Sequence, residues 1–261
     1  MVTRHTGSSF HRRGWLATDA GELTDKFATL DAVSRIRAAY RLFEGKVLLT
    51  TSGGETSAVM LDLTASVIGM EYPVVFVDHG YHTDATYQMI DGFRRKGHDV
   101  HVFRSRLSPS EVDRQYPGWR EPGSPLFEQV TRLIKHQPLN QAFTTFRPKA
   151  WLRGIMRYET SDRARANFVQ RRNGLFQIHP ILDWSPSDVN YYIAERQLPV
   201  NTGHWDITKG REQRAECRIG EFCGTAPERD LQVDAAVRAQ AALASLALNQ
   251  TVAVDAREEK R

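Results

Sequence analysis

The sequence predicts an α/β protein built on a doubly wound parallel sheet. Apolar strands alternate with stretches of helical length through the first half of the chain, and this β-α-β-α-β order favours parallel strands with right-handed connections. Residues 73–77 form a continuous apolar run, which is typical of a strand that is buried on both faces. Ligands bind beyond the carboxyl ends of the strands in such sheets, so a site is expected at that edge.

The first half of the chain supplies three of the strands. The helices are predicted from apolar side chains at helical spacing, and Thr83 or Asp84 is the expected cap of the third of them. In order, the elements are a helix at 24–43, a strand at 47–51, a helix that ends near 68, a strand at 73–77, a helix at 84–96 and a strand at 100–103.

The second half of the chain is less regular. Residues 105–135 are rich in proline and glycine, which predicts short helices and loops. Ser185 is the expected cap of a later helix, with Pro186 at its first helical position. The predicted elements are a helix at 138–146, strands at 150–155 and 174–180, a helix at 185–196 and an alanine-rich helix at 233–248.

Composition narrows the class of protein. The chain has 261 residues, 41% of them hydrophobic and 25% charged, as in ordinary globular proteins. A net charge of +4 is too small to argue for a nucleic acid partner and suits an anionic small substrate equally well. No apolar run approaches the roughly 20 residues that a membrane span needs, and the N-terminus has no signal-peptide pattern. We therefore expect a cytoplasmic protein with neither a membrane nor a nucleic acid partner.

The turn after the first strand has the layout of an anion site. Two glycines let the backbone turn tightly, and the helix that follows directs its positive end at a ligand. The turn has neither the Walker spacing nor that of dinucleotide-binding folds, and it resembles the pyrophosphate loop of the adenine nucleotide alpha-hydrolase superfamily. Its candidate binding residues are Ser52, Gly53, Gly54, Glu55, Thr56 and Ser57.

Four further segments resemble those of phosphoadenosine phosphosulfate reductases. They occur in the family's order between about residues 46 and 199, which makes the set more specific than any one of them. They are 78–91, which begins Asp-His-Gly-Tyr; 135–142, which begins Lys-His-Gln-Pro; 151–164, which begins Trp-Leu-Arg-Gly; and 174–184, which ends Pro-Ile-Leu-Asp-Trp. The resemblance implies an α/β domain that binds an adenylated sulfate and reduces it to sulfite, using an acceptor thiol and a thioredoxin-like dithiol protein.

The resemblance assigns further substrate-binding residues. Lys135, Arg157 and Arg163 supply cations for phosphate or sulfate, to which the planar fork of arginine is well matched. The others are Asp78, His79, Gly80, Asp183 and Trp184. Asp183 and Trp184 have a structural alternative, in which they brace a loop and fill the core. Arg165, Arg171 and Arg172 are expected in a solvated basic loop.

The chemistry implied by the resemblance requires a cysteine. Glu216-Cys217 resembles the start of the family's C-terminal Glu-Cys-Gly-Leu-His motif, and Arg211, Arg214 and Arg218 favour a thiolate at Cys217. In this interpretation Cys217 attacks sulfur, and thioredoxin or glutaredoxin then releases sulfite by thiol exchange.

This segment also departs from the family pattern. No His follows Cys217, and a second cysteine occurs at Cys223. Cys223 is therefore an alternative nucleophile or a resolving thiol, unless both are ordinary thiols. Two cysteines cannot supply the four thiolates of an iron–sulfur cluster, so no bound cofactor is expected. A zinc site of His204 with both cysteines is conceivable, but its spacing matches no known finger, and no metal is predicted.

The sequence predicts four parts in the chain. They are a flexible N-terminus at 1–22, a nucleotide-binding α/β domain at 23–200, a flexible cysteine-bearing segment at 201–228, and a C-terminal helix with a frayed tail at 229–261. Two rival functions remain: an ATP pyrophosphatase-type thiolation enzyme, and a nucleotide-binding protein with a degenerate active site. A homodimer is compatible with all three functions.

Overall fold

The structure is a computed structural model that describes residues 19–121 and 123–209. Its central sheet has the strand order β3-β2-β1-β4-β6-β5. Every neighbouring pair is parallel except β5 and β6, which are antiparallel. The strands are β1 (Val47–Thr51), β2 (Pro73–Asp78), β3 (Asp99–Arg104), β4 (Ala150–Leu152), β5 (Val169–Arg172) and β6 (Leu175–Ile178). The predicted doubly wound, mainly parallel sheet is confirmed.

The described helices lie between and beside these strands. They are α1 (Ala20–Ala28), α2 (Ala32–Leu42), α3 (Glu55–Ile68), α4 (Asp84–Arg95), α5 (Pro109–Gln115), α6 (Leu126–Thr131), α7 (Gln137–Phe146), α8 (Ser161–Ala164) and α9 (Pro186–Glu195). A π-helical stretch, Arg132–His136, joins α6 to α7. In the part of the chain that the structure describes, no helix is both long enough and apolar enough to cross a bilayer.

Alternation along the strands distributes side chains to the two faces of the sheet. On β1, Val47 and Leu49 enter the large core that α2, α3, α4 and α9 cover, whereas Leu48 points to the other face. There Leu48 packs with Val75 and with Ala142 of α7. Helices therefore cover both faces of β1 and β2, which holds their carboxyl ends in fixed positions beneath the turns that follow.

The single helix predicted at 24–43 is wrong, because the chain breaks between α1 and α2. The carboxylate of Asp31 accepts a hydrogen bond from the Ser34 backbone N–H at 2.6 Å, which caps a new helix. The apolar spacing continues across the break, so Phe27 and Ile36 still reach the same core.

The basic loop expected at Arg171 and Arg172 is also wrong, since both residues belong to β5. Asn173 and Gly174 both have positive φ, at 51° and 79°, and they connect β5 to β6 as a two-residue hairpin turn. This antiparallel edge strand is the one departure from a fully parallel sheet among the described strands.

Candidate active site

The turn between β1 and α3 is shaped to receive an anion. Gly53 has φ of +75°, and a Cβ there would lie 2.9 Å from Cγ2 of Thr86. The Ser52 N–H donates to Oγ of Ser57 at 3.2 Å, which joins the start of the turn to the first turn of α3. Gly54 precedes the first residue of α3, so the unpaired N–H groups and the positive end of that helix face the turn.

Asp78 at the end of β2 organises the neighbouring turn. One carboxylate oxygen accepts from the Gly80 N–H at 2.9 Å and from the Tyr87 hydroxyl at 2.8 Å; the other accepts from Nε of Arg104 at 2.8 Å. Burial alone would raise the pKa of Asp78, but the hydrogen bonds from Arg104, Tyr87 and Gly80 outweigh it and hold that pKa below its ordinary value. The ionised side chain therefore positions Gly80 and Arg104, while direct substrate contact by Asp78 stays a prediction.

Residues 201–209 pack against the anion turn, and we call them the strap. Nδ2 of Asn201 donates to the Gly53 carbonyl at 2.8 Å and to Oγ1 of Thr86 at 3.1 Å. Oγ1 of Thr83 donates to the Gly203 carbonyl at 2.8 Å. A Cβ on Gly54 would approach the His204 ring to 3.1 Å. The strap thus contacts the turn through three of its residues.

Asp206 joins the strap to two predicted substrate-binding residues. It is 3% exposed, and its carboxylate lies 2.6 Å from Nζ of Lys135 and 3.4 Å from Nε2 of His79. Nδ1 of His79 accepts from the Tyr81 N–H at 3.1 Å, so a neutral ring carries its proton on Nε2, facing Asp206. Burial would raise the pKa of Asp206, but the charge of Lys135 and the contact with His79 hold it well below its ordinary value.

Three histidines in or near this region have pKa values that burial lowers. His82 stacks on His79 with ring centroids 3.6 Å apart, and burial lowers the pKa of His82 to about 4. Burial likewise lowers the pKa of His204 in the strap and of His179 after β6 to about 3. These three rings are therefore neutral at physiological pH.

We expect the free energy of unfolding to fall as the pH drops below 6.5, the ordinary pKa of histidine. The unfolded chain binds protons on His82, His179 and His204 in that range, whereas the folded protein does not until the pH approaches their lowered pKa values. Each ring contributes stability that is complete above its ordinary pKa and is lost by up to about 1.4 kcal/mol per pH unit below it.

Urea unfolding across this pH range measures how steeply the free energy of unfolding depends on pH. His82→Gln keeps a side-chain donor for the Val77 carbonyl and should make the slope shallower. His101→Gln is the control, because the side chain of His101 is 41% exposed. A free energy of unfolding that stays constant down to the folded pKa values would contradict the prediction.

Three other predicted substrate-binding side chains have protein partners. Arg163 pairs with Glu159, and the Arg157 guanidinium lies 5.0 Å from the ring centroid of Phe168. Asp183 accepts from Arg35 through both carboxylate oxygens, at 2.6 and 2.8 Å. Asp183 therefore braces the loop that carries it, which is the structural role given above as the alternative to substrate binding.

Trp184 packs against Tyr192 with ring centroids 5.4 Å apart and belongs to the edge of the large core. It also lines a cavity of about 280 Å³ beside α9. The predicted nucleophiles, Cys217 and Cys223, lie outside the described residues.

Arg104 and Arg106 are candidate site residues that sequence reasoning missed. They line an open cavity of about 320 Å³ at the end of β3, together with Gln137 and Gln141 of α7. Arg104 connects this cavity to the Asp78 turn through their ion pair. The available signal was their position directly after a predicted strand, at the same edge as the anion turn.

Comparison with known proteins identifies relatives of most of the described part of the chain. The family model for the phosphoadenosine phosphosulfate reductase domain matches residues 46–204. The phosphoadenosine 5'-phosphosulfate reductase of Aliivibrio fischeri (strain MJ11) is 32% identical over 186 residues, covering 71% of this chain and 73% of the relative. That of Alkalilimnicola ehrlichii is 30% identical over 205 residues, covering 77% and 82%.

A solved structure agrees with the fold. The crystal structure of phosphoadenylyl-sulfate reductase from Candida auris, a phosphate complex, aligns with a TM-score of 0.60 over 72% of this chain and 92% of that chain, at 20% identity. The region that the family model matches begins before β1 and ends within the strap, so it contains the anion turn, the Asp78 turn and Lys135. The chain belongs to the phosphoadenosine phosphosulfate reductase family.

Proposed function

We propose that this chain reduces phosphoadenosine phosphosulfate to sulfite and adenosine 3',5'-bisphosphate with electrons from thiols. Family membership and the named relatives support reduction of a sulfonucleotide. The observation that supports it most directly is the packing of the strap on the anion turn, through Asn201, Gly203 and His204. Because the strap is held there, the chain that follows it starts beside the place where the nucleotide anion would bind.

The proposed nucleophile follows the strap closely in the sequence. Cys217 follows Lys209, the last described residue of the strap, by eight residues. A segment of that length spans at most about 29 Å when fully extended. Arg211, Arg214 and Arg218 lie on either side of Cys217 in sequence and favour its thiolate form.

The reaction proceeds in two displacements. The thiolate of Cys217 attacks the sulfur of the sulfate group, an S–S bond forms, and the bond from sulfur to the phosphate oxygen breaks. Adenosine 3',5'-bisphosphate leaves with the electron pair, and the cysteine becomes an S-sulfonate. A thiolate of thioredoxin or glutaredoxin then attacks Sγ of that cysteine and releases sulfite, and the second thiol of the donor restores Cys217 as the donor becomes a disulfide.

The proposed substrate contacts come from the anion turn and from two cations. N–H groups and hydroxyls of the turn bind one phosphate, while Lys135 and Arg157 supply positive charge. The reaction needs no iron–sulfur cluster or metal, because the dithiol donor supplies both electrons. The cytoplasm is the proposed compartment, since its thiol-reducing proteins regenerate such donors.

A sulfite assay tests the proposal. The full chain is supplied with phosphoadenosine phosphosulfate and reduced thioredoxin, and sulfite is measured for the wild type, Cys217→Ala and Cys223→Ala. We expect sulfite from the wild type and from Cys223→Ala, and none from Cys217→Ala. The reverse pattern for the two variants would assign the nucleophile to Cys223.

The same preparation separates the rival functions. No sulfite from the wild type would refute the proposed reaction. Conversion of ATP to AMP and pyrophosphate would favour a thiolation enzyme, whereas tight nucleotide binding without turnover would favour a degenerate site.

A further inference from the structure

His204 of the strap is a buried imidazole without a hydrogen-bond partner among the described residues. It is 5% exposed; its Nδ1 is buried and unpaired, and no described residue bonds to its Nε2. A buried N–H without an acceptor is rarer in proteins than a buried lone pair without a donor. We therefore assign the proton of the neutral ring to Nε2, which makes this nitrogen a donor.

The strap holds the ring against the start of helix α3. The His204 backbone N–H donates to the Asn201 carbonyl at 3.4 Å, and Nδ2 of Asn201 donates to the Gly53 carbonyl at 2.8 Å. A Cβ built on Gly54 would lie 3.1 Å from Cδ2 of His204 and 3.3 Å from its Nε2. The edge of the ring that carries Nε2 therefore faces Gly54, and the unpaired Nδ1 lies on the opposite side of the ring.

Gly54 occupies the position from which a helix is normally capped. It is the N-cap residue of α3 and has no side chain to cap the helix. A capping side chain would extend from the Cβ of this residue and place an oxygen over the first N–H groups of the helix, which have no partner within it. An oxyanion that takes the capping position accepts from those N–H groups and lies beside Nε2 of His204.

Two lysines act on the same ring. Burial is the largest cause that lowers the pKa of His204 to about 3, and the charges of Lys209 and Lys135 lower it further, while Asp206 opposes them. The ring is thus neutral and lies near two ammonium groups. A neutral donor at this place adds a hydrogen bond to an anion without repelling the lysines.

We propose that His204 binds the substrate directly, donating its Nε2–H to an oxygen of the anionic group held in the anion turn. The inference deepens the proposed function and rests on it, because it concerns the same substrate. It also explains why a polar ring is buried with an unpaired nitrogen: residues at binding sites often lower stability, and the ring acquires its partner when the substrate binds.

Titration of phosphoadenosine phosphosulfate into the full chain tests this contact. Leucine has no donor, so we expect His204→Leu to weaken binding by about tenfold or more, the size typical of a lost hydrogen bond to a charged group. Its midpoint of urea unfolding should not fall, because an apolar side chain replaces a polar ring that has an unpaired nitrogen. Glutamine places an amide N–H near the position of Nε2, so His204→Gln should keep most of the affinity.

His98→Leu is the matched control. His98 is 8% exposed, and its Nδ1 is also buried without a partner. It precedes β3, at the edge of the parallel strands opposite to the anion turn. His98→Leu should therefore leave the nucleotide affinity unchanged. If His204→Leu fails to fold, His204→Asn gives the same reading, since its shorter amide reaches only the level of Nδ1.

The outcomes that would overturn the inference are distinguishable. Unchanged affinity of His204→Leu, with a wild type that binds the nucleotide, refutes the contact alone. An equal loss of affinity in His204→Leu and His204→Gln would assign the ring to packing of the turn and refute its role as a donor. A wild type that does not bind the nucleotide refutes the proposed function, and the contact with it.

Discussion

Replacing Arg35 by alanine should lower the free energy of unfolding by about 2–5 kcal/mol, the range typical of truncating a large buried side chain. Arg35 is 2% exposed, and it donates to both carboxylate oxygens of Asp183 and to the carbonyls of Phe27 and Pro180. It also lies 4.0 Å from the ring centroid of Phe168. Truncation leaves several acceptors unpaired and a cavity between α2 and the loop after β6.

Urea unfolding with circular dichroism measures this loss. Asp183→Asn is the matched comparison, and its effect should be smaller, because the Asp183 side chain is 43% exposed and water can replace part of what is lost. Arg35→Lys keeps the charge but not the fork, and it should fall between the two. A loss below about 1 kcal/mol for Arg35→Ala would mean that the pair contributes no more than a surface ion pair does.

Gly53→Ala should reduce kcat/KM for the proposed substrate by about a hundredfold or more, the scale that a displacement of about 1 Å at a reacting centre produces. Gly53 has φ of +75°, which costs alanine about 1–2 kcal/mol. Its Cβ would in addition lie 2.9 Å from Thr86 Cγ2 and 3.5 Å from the Thr86 carbonyl oxygen. Relief of this clash moves the turn away from α4 and so displaces the N–H groups that would bind the phosphate.

Gly69→Ala is the matched control for this experiment. Gly69 ends the same helix, α3, with φ of +78°, but its Cβ would meet nothing within 4 Å. Both variants place a Cβ at a positive φ, and only Gly53→Ala has the clash. Thermal unfolding should show a loss of stability in both, while nucleotide binding and turnover should fall in Gly53→Ala alone. Equal activity of the two would refute the role assigned to the geometry of the turn.

Continuous apolar runs and capping residues made most of the fold predictable. Strand β1 and helix α3 were predicted within a residue because an apolar run ends at Ser-Gly-Gly. Strand β5 was not, because Gln170, Arg171 and Arg172 are polar and carry no alternation, and the strand is specified by its turn and by pairing with β6. The break before α2 depends on one capping hydrogen bond at Asp31, and the spacing of apolar residues does not reveal it.

The anion turn was predictable because its glycines and hydroxyls are consecutive in the sequence. The partners of Lys135 and Asp183 were not, since Asp206 and Arg35 lie 71 and 148 residues away along the chain.

The strap also sets an order of events during synthesis of the protein. Asn201 follows Gly53, whose carbonyl it binds, by 148 residues. At roughly 5–20 residues per second, it leaves the ribosome roughly 7–30 s after the turn does. During that interval the nascent chain has its anion turn but not the donor that supports it. Competence to bind nucleotide therefore arises late, when nearly the whole domain has been made.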